Sequence, residues 1–231
     1  MRSVFITGAD RGLGLSLCKE FLWRGWRVIA GKYMDNYSLL EDLQSTNKNL
    51  HVLPFNITCG DSIANAVSET KAICGGIDML ISNAALIEKS TDPEAVWWAY
   101  NVNALGPLRL TEAFLPLMRK GIKRLCYVSS EVASISLMQN RHADTPAYPM
   151  SKAAMNMGIR LMHNELFPMG YTFRLFHPGW MKFRKPDGSL EEEGTYDPNF
   201  IGEIAAKYFE TPLYDENRLV MVDFNGYEWP F

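Results

Sequence analysis

Apolar positions fall into two alternating rhythms along this chain. Short apolar-centred runs at Val4–Thr7, Arg27–Gly31, Leu50–Pro54, Ile77–Ile81, Arg124–Ser130, Thr172–Phe176 and Asn217–Val222 predict seven strands. Between them, apolar residues recur every three or four positions. Leu13, Leu17, Phe21 and Leu22 mark one helix; Leu39, Leu40 and Leu43, behind Ser38 as a cap, mark a second. Ile63, Ala66 and Val67 mark a third over 61–72. Longer helices are expected over 94–119, softened at Gly106-Pro107, over 147–167, and near 198–209. Several strands are apolar throughout rather than at every second residue, as in a sheet buried on both faces. Strand and helix alternate to the end, which predicts an α/β architecture: a doubly wound parallel sheet of about seven strands with helices on both faces.

No repeat, low-complexity tract or linker interrupts the 231 residues, so residues 1–231 read as one domain. The one long irregular stretch, 177–198, is rich in charge and glycine. Connections of that length often cover a site, and a lid is expected there.

Composition narrows the function. Apolar content of 47% and charged content of 21% are those of a soluble enzyme. A net charge of −3 argues against a nucleic-acid partner, which needs a concentrated basic face. No run of 18 apolar residues occurs, so no membrane span is expected. The first strand begins by residue 4, which leaves no room for a secretory or transit segment, so a cytoplasmic location is expected. The cysteines Cys18, Cys59, Cys74 and Cys126 lack metal spacing. No metal site is expected, all four should be reduced, and Cys18 and Cys126 should be core thiols.

Chemistry is expected at the carboxyl ends of the strands, where ligands sit in parallel sheets. After Val4–Thr7 come Gly8, Gly12 and Gly14, then a helix. A strand that turns through glycines into a helix offers unpaired N–H groups and a positive dipole end, which suits a phosphate. Gly8 would allow the turn, Gly12 the approach of a pyrophosphate, and Gly14 close helix packing. The second cluster is Tyr148 and Lys152, one turn apart at the start of a helix. A free phenol titrates near 10; bringing it to neutrality would take about three units, or about 4 kcal/mol. One ammonium favours the phenolate but cannot easily supply all of that in water.

Taken together, Thr7-Gly8, Gly12 and Gly14, the segment Asn83-Ala84-Ala85, Ser129-Ser130, Tyr148 with Lys152, and Pro178-Gly179 resemble, in order and spacing, the short-chain dehydrogenase/reductase family over nearly the whole chain. Pro178-Gly179-Trp180 is most similar to the small carbonyl-reductase-like members. The resemblance implies a single-domain Rossmann fold that carries a hydride between a nicotinamide cofactor and a ketone, aldehyde or alcohol. It implies Tyr148 as acid/base and Lys152 as the residue that tunes it and holds the nicotinamide ribose. It further implies Ser130, with Ser129 as its competitor, on the substrate oxygen, and Asn103 completing the tetrad. Cofactor contacts are implied at Gly8, Asp10, Arg11, Gly12, Leu13, Gly14, Lys32, Asn56, Ile57, Asn83, Ala84, Ala85, Tyr148, Lys152, Pro178, Gly179 and Trp180. Hydride transfer is the cofactor's chemistry; the protein aligns it and steadies the oxygen.

Two features depart from the family: Ala85 stands where glycine is usual, and no threonine follows Pro178-Gly179. The gap between Ser130 and Tyr148 is long, which implies an inserted loop over 135–145, and the substrate pocket is expected between loops 131–146 and 177–198. Met138, Met150, Trp180, Met181 and Phe183 would form its apolar wall. At the end of the second strand Lys32 replaces the acidic residue of NAD-preferring sites. With Arg11 it would attract a 2′-phosphate, so NADP(H) is favoured over NAD(H). The alternatives are an NAD-linked alcohol dehydrogenase and a non-catalytic NADP-sensing protein. A nucleotide-sugar epimerase would need a larger substrate region. By resemblance, a homodimer or homotetramer is expected.

Overall fold

The computed structural model describes residues 1–118, 121–138 and 146–231. Its strands are β1 (Ser3–Thr7), β2 (Arg27–Lys32), β3 (Leu50–Pro54), β4 (Met79–Ser82), β5 (Arg124–Val128), β6 (Thr172–His177), β7 (Met221–Asp223) and β8 (Glu228–Trp229). They form one sheet in the order β3-β2-β1-β4-β5-β6-β7-β8. Every pairing up to β7 is parallel. β8, absent from the sequence reading, turns back antiparallel on β7. A strand of two residues carries no periodicity to read.

Among the described residues, seven α-helices connect the strands: α1 (Gly12–Trp23), α2 (Leu39–Thr46), α3 (Gly60–Cys74), α4 (Pro93–Tyr100), α5 (Gly106–Phe114), α6 (Ala147–Leu166) and α7 (Pro198–Glu210). Successive β1 residues explain the apolar runs. Val4 and Ile6 enter one core with Leu17 of α1, Leu40 of α2 and Phe209 of α7; Phe5 enters the other with Ile63 of α3, Phe114 of α5 and Ile159 of α6. Both faces are therefore dry, and alternation disappears. Cys18 and Cys126 are buried, burial pushes both thiols up, and all four cysteines are free. Among the described residues, no helix is long and apolar enough to cross a membrane.

The helix expected over 94–119 is divided. Asp92 caps α4 by accepting from the N–H groups of Glu94 and Ala95. Asn101–Leu105 then widens into a π turn in which the Gly106 N–H donates to the Asn101 carbonyl. Pro107 has no N–H to continue the α ladder, which accounts for the slip at this point. Leu115–Met118 tightens into a 3₁₀ turn. The chain leaves β1 toward β2 and returns toward β4 on the other side of β1, so a crevice opens at the carboxyl ends of β1 and β4. The inserted loop expected over 135–145 falls mainly on 139–145, outside the described residues.

Candidate active site

The crevice is fastened from below. The Thr7 hydroxyl accepts from the N–H groups of Asn83 (3.0 Å) and Ala84 (3.1 Å), and the Asn83 amide donates back to the carbonyls of Thr7 and Gly8, each at 3.0 Å. Asn83 thus fixes the glycine turn from the β4 side. Gly8 has φ +61°, and a Cβ there would stand 2.7 Å from the Ala84 Cα. A Cβ on Gly14 would stand 2.0 Å from the Gly8 carbonyl oxygen, so this glycine packs the helix on the turn itself rather than on the sheet. Gly12 is different: a Cβ there would meet nothing within 4 Å. Here α1 begins, after Arg11, with no side-chain cap. Unsatisfied N–H donors at a helix start beside an open glycine fit a dinucleotide pyrophosphate.

Other expected cofactor residues divide into those that face outward and those that brace. Asp10 is buried and accepts from the N–H groups of Tyr33 (2.7 Å) and Met34 (2.8 Å), tying the glycine turn to the end of β2. Leu13 and Ile57 turn into the two cores, the latter beneath Gly106. Asn56 bends its own turn by accepting from the N–H (2.9 Å) and hydroxyl (2.7 Å) of Thr58. Ala85 is exposed. Gly179 has φ +74° and would press a Cβ onto Phe224 and Tyr196, while Trp180 is exposed beyond it.

A cavity of about 520 Å³ opens at the ends of β2 and β3, lined by Lys32, Tyr33, Asp35, Glu41 and Asn56 among others. The two cations read as phosphate contacts already have partners. Lys32 Nζ lies 2.5 Å from Glu41 Oε1. Arg11 donates to the Tyr37 hydroxyl at 2.8 Å, and its guanidinium lies 5.3 Å from the ring centroids of both Tyr37 and Phe183. The Tyr37 hydroxyl donates onward to the Arg184 carbonyl at 3.0 Å, so segment 177–198 is fastened to the glycine turn. Sequence reasoning missed Tyr37 and Glu41, since nothing local marks either as a partner.

The expected apolar wall is also redistributed. Met181 packs against the core that holds α1, and Phe183 lies by Arg11, while Met150 and Trp180 are exposed.

The candidate catalytic cluster sits at the end of β5. Ser129 donates to Asn156 at 2.8 Å and is thereby occupied. Ser130 is the serine that hydrogen-bonds the Tyr148 hydroxyl. Lys152, buried on α6, donates to the Val128 carbonyl at 2.9 Å, with its ammonium 6.0 Å from the Tyr148 ring centroid. Burial pushes the phenol up to about 12, and the Ser130 hydrogen bond only partly opposes it. Burial also lowers Lys152 to about 8. Desolvation is therefore the largest influence on both members of the pair.

Asn103, in the π turn, is fully buried and clamps Leu86, accepting from its N–H at 2.8 Å and donating to its carbonyl at 2.7 Å. Its amide also donates to the Ser151 hydroxyl at 3.0 Å. Asn103 thus joins the loop after β4 to the residue beside Lys152. Its side-chain hydrogen bonds go to Leu86 and Ser151 rather than to the lysine.

Comparison with known proteins agrees with this geometry. Residues 2–190 match the model of the short chain dehydrogenase family. An uncharacterized oxidoreductase of Schizosaccharomyces pombe is 32% identical over 228 residues, covering 94% of this chain and 88% of its own. Another, of Saccharomyces cerevisiae, is 29% identical over 237 residues, covering 96% and 92%. Among solved structures, the NADPH-bound carbonyl reductase from chicken fatty liver superposes with a TM-score of 0.87 at 25% identity, over 100% of this chain and 99% of that one. A glycine turn fastened by Asn83 and a serine, tyrosine and lysine gathered one strand away thus have a shared ancestry: the chain belongs to the short chain dehydrogenase family.

Proposed function

We propose that the protein is an NADP(H)-dependent oxidoreductase that reduces a ketone or aldehyde, with Tyr148 as the proton donor. The observation that carries this reading is the convergence of Ser130, Tyr148 and Lys152 at the end of β5, across β4 from the glycine turn and the uncapped start of α1. The uncapped turns of α1 would hold the pyrophosphate, and Lys152 the nicotinamide ribose. When bound, a reduced nicotinamide supplies the hydride. The chain's own residues manage the oxygen. Ser130 and Tyr148 direct two hydroxyls at it, and a phenol pushed up to about 12 keeps its proton throughout the neutral range. A phenol that keeps its proton has one to give to the substrate oxygen during reduction.

The cofactor preference rests on Lys32 and on the NADPH in the chicken relative. A 2′-phosphate at β2 would have to draw Lys32 away from Glu41, a contact worth about 1 kcal/mol or less. Lys32→Ala should raise the KM for NADPH about tenfold and leave that for NADH within about twofold. Glu41→Gln should lower the KM for NADPH. The deciding test is NADPH consumption across a panel of carbonyls with both cofactors compared. A tenfold or greater preference for NADH would reverse the cofactor assignment, and NADPH binding without turnover would favour a sensor.

Gly14→Ala tests the cradle. Its Cβ would meet the Gly8 carbonyl at 2.0 Å, so the turn must open. Gly12→Ala meets no protein atom and strains the turn by about 1–2 kcal/mol at φ +53°, but its Cβ enters the space read as the pyrophosphate's approach. Calorimetric titration should therefore show both variants weakening NADPH at least tenfold, while the melting temperature without cofactor falls more for Gly14→Ala. Equal falls in melting temperature would mean that Gly14 is not what shapes the turn.

The same reading expects a homodimer or homotetramer. Trp97 and Trp98 of α4 and Met157 and Leu161 of α6 are exposed apolar residues on the helices concerned.

A further inference from the structure

We propose that Trp229, Pro230 and Phe231 brace the catalytic pair, setting the separation of Ser130 from Tyr148, with Ser134 and Trp229 as positioning residues. The proposal rests on the oxidoreductase reading above and adds to it residues outside the serine–tyrosine–lysine cluster.

Ser130 opens a tight turn over Glu131–Ala133, closed by two hydrogen bonds: the Ala133 N–H to the Ser130 carbonyl and the Ser134 N–H to the Glu131 carbonyl, both at 3.0 Å. Ser134, at the far end of that turn, is fully buried, and its hydroxyl donates to the Pro230 carbonyl. One residue earlier, the Trp229 indole N–H donates to Asp223 Oδ2 at 3.2 Å. Its ring stands edge-on to His177, with centroids 5.5 Å apart and planes at 80°. His177 ends β6 directly before Pro178-Gly179, and its Nε2 lies 3.9 Å from Glu131 in the Ser130 turn. On the other side, Phe231 packs against the core that contains Met155 and Ile159 of α6, with the Arg160 guanidinium 5.9 Å from its ring.

Three consecutive residues therefore touch both sides of the catalytic gap. Pro230 holds the turn that begins at Ser130, and Phe231 holds the helix that carries Tyr148. Trp229 ties both to the end of β6. A brace of this kind matters because the phenol and the serine hydroxyl must meet one oxygen, and misplacement by about 1 Å can cost about 100-fold in rate.

Ordinary core filling is the competing explanation, and Ser134→Ala separates the two. It deletes one hydroxyl and no apolar surface. The expected result is a kcat for carbonyl reduction about tenfold lower, an NADPH Kd within about twofold of wild type, and a larger solvent deuterium isotope effect as proton donation becomes limiting. Trp229→Phe, which keeps the ring on His177 and loses the N–H to Asp223, should shift the same quantities in the same direction by less.

Unchanged kcat in both variants would overturn the proposal. So would a kcat that falls only in step with NADPH affinity and melting temperature, with the isotope effect unmoved. Amide hydrogen exchange at Ala133 and Ser134 should quicken in Ser134→Ala while α1 stays protected; unaltered exchange there also overturns the brace. Because exchange needs no turnover, a wild-type protein inactive on every carbonyl would sink the functional reading and leave the brace to be judged separately.

Discussion

Tyr148→Phe is expected to lower the rate of carbonyl reduction by roughly 10²–10⁴-fold, the range for loss of a positioned general acid, while the NADPH Kd stays within about twofold. The phenyl ring is kept, so the start of α6 keeps its packing. Lys152 is held by the Val128 carbonyl at 2.9 Å, a contact that owes nothing to the phenol oxygen, so its reach toward a ribose should survive. What disappears is the hydroxyl that Ser130 hydrogen-bonds and that would protonate the substrate oxygen. Single-turnover kinetics with NADPH, followed by absorbance, separate this loss from any loss of binding; near-normal rates would remove Tyr148 as the acid. The wild-type pH profile gives a second check. With the phenol up at about 12, proton supply should not limit reduction at neutral pH. Lys152, lowered to about 8 by burial, loses its charge as pH rises through that value. If its ammonium assists the oxygen, kcat for reduction should be level below about pH 8 and decline above it.

How much of this was legible in the sequence depended on the reach of each interaction. Gly8, Gly12 and Gly14 lie within one strand-turn-helix, and Tyr148 and Lys152 within one helical turn, so spacing alone brings each set together. Ser130 was legible through the resemblance, with Ser129 as its competitor; only the fold shows that Asn156, 27 residues away, occupies Ser129. Arg11 and Lys32 were legible as cations but not as paired ones, because Tyr37 and Glu41 reach them through the packing of α2 and its approach. The long helix over 94–119 was expected only to soften at Gly106-Pro107, because its apolar period persists through the π turn that divides it. β8 and the contacts of Trp229 and Pro230 had no sequence signal, since two residues cannot display a period of two.

The same limit hid the group whose removal should most destabilise the fold. Arg124 and Arg174 sit in apolar strands, where the sequence gives no sign of what neutralises them. Both reach Glu216, which lies 92 and 42 residues further along. Arg174, fully buried, makes a two-pronged contact with its carboxylate at 2.6 and 2.7 Å, and Arg124 adds a third bond at 3.2 Å. Arg124 also donates to the carbonyls of Phe209 (2.8 Å) and Glu210 (3.0 Å), where a cation complements the end of α7.

Glu216→Ala should therefore leave two guanidiniums facing only carbonyls and the Thr172 hydroxyl in a dry setting. Breaking a buried pair in this way costs about 3–5 kcal/mol. The Glu216 side chain is 23% exposed, so water can relieve part of the loss and the lower end of that range is expected. For a chain of this size that corresponds to a melting temperature roughly 6–12 °C lower. Glu216→Gln, which keeps the shape and one acceptor, should fall between.

Acid supplies the sign test. Burial pushes the Glu216 carboxyl up, but hydrogen bonds from Arg174 and the Leu213 N–H, with the charges of both arginines, outweigh it and hold the carboxyl below the usual range. Its stabilisation is thus complete above the ordinary carboxylate range and disappears as pH falls through the depressed folded value. The gap in melting temperature between wild type and Glu216→Ala should be widest near neutrality and close on acidification. The cluster lies at the start of β5, at the opposite end of that strand from Ser130, so NADPH affinity at temperatures below melting should not change. A gap that stays constant with pH, or falls below about 2 °C at neutrality, would mean that the arginines are adequately held by the carbonyls of α7 without the carboxylate.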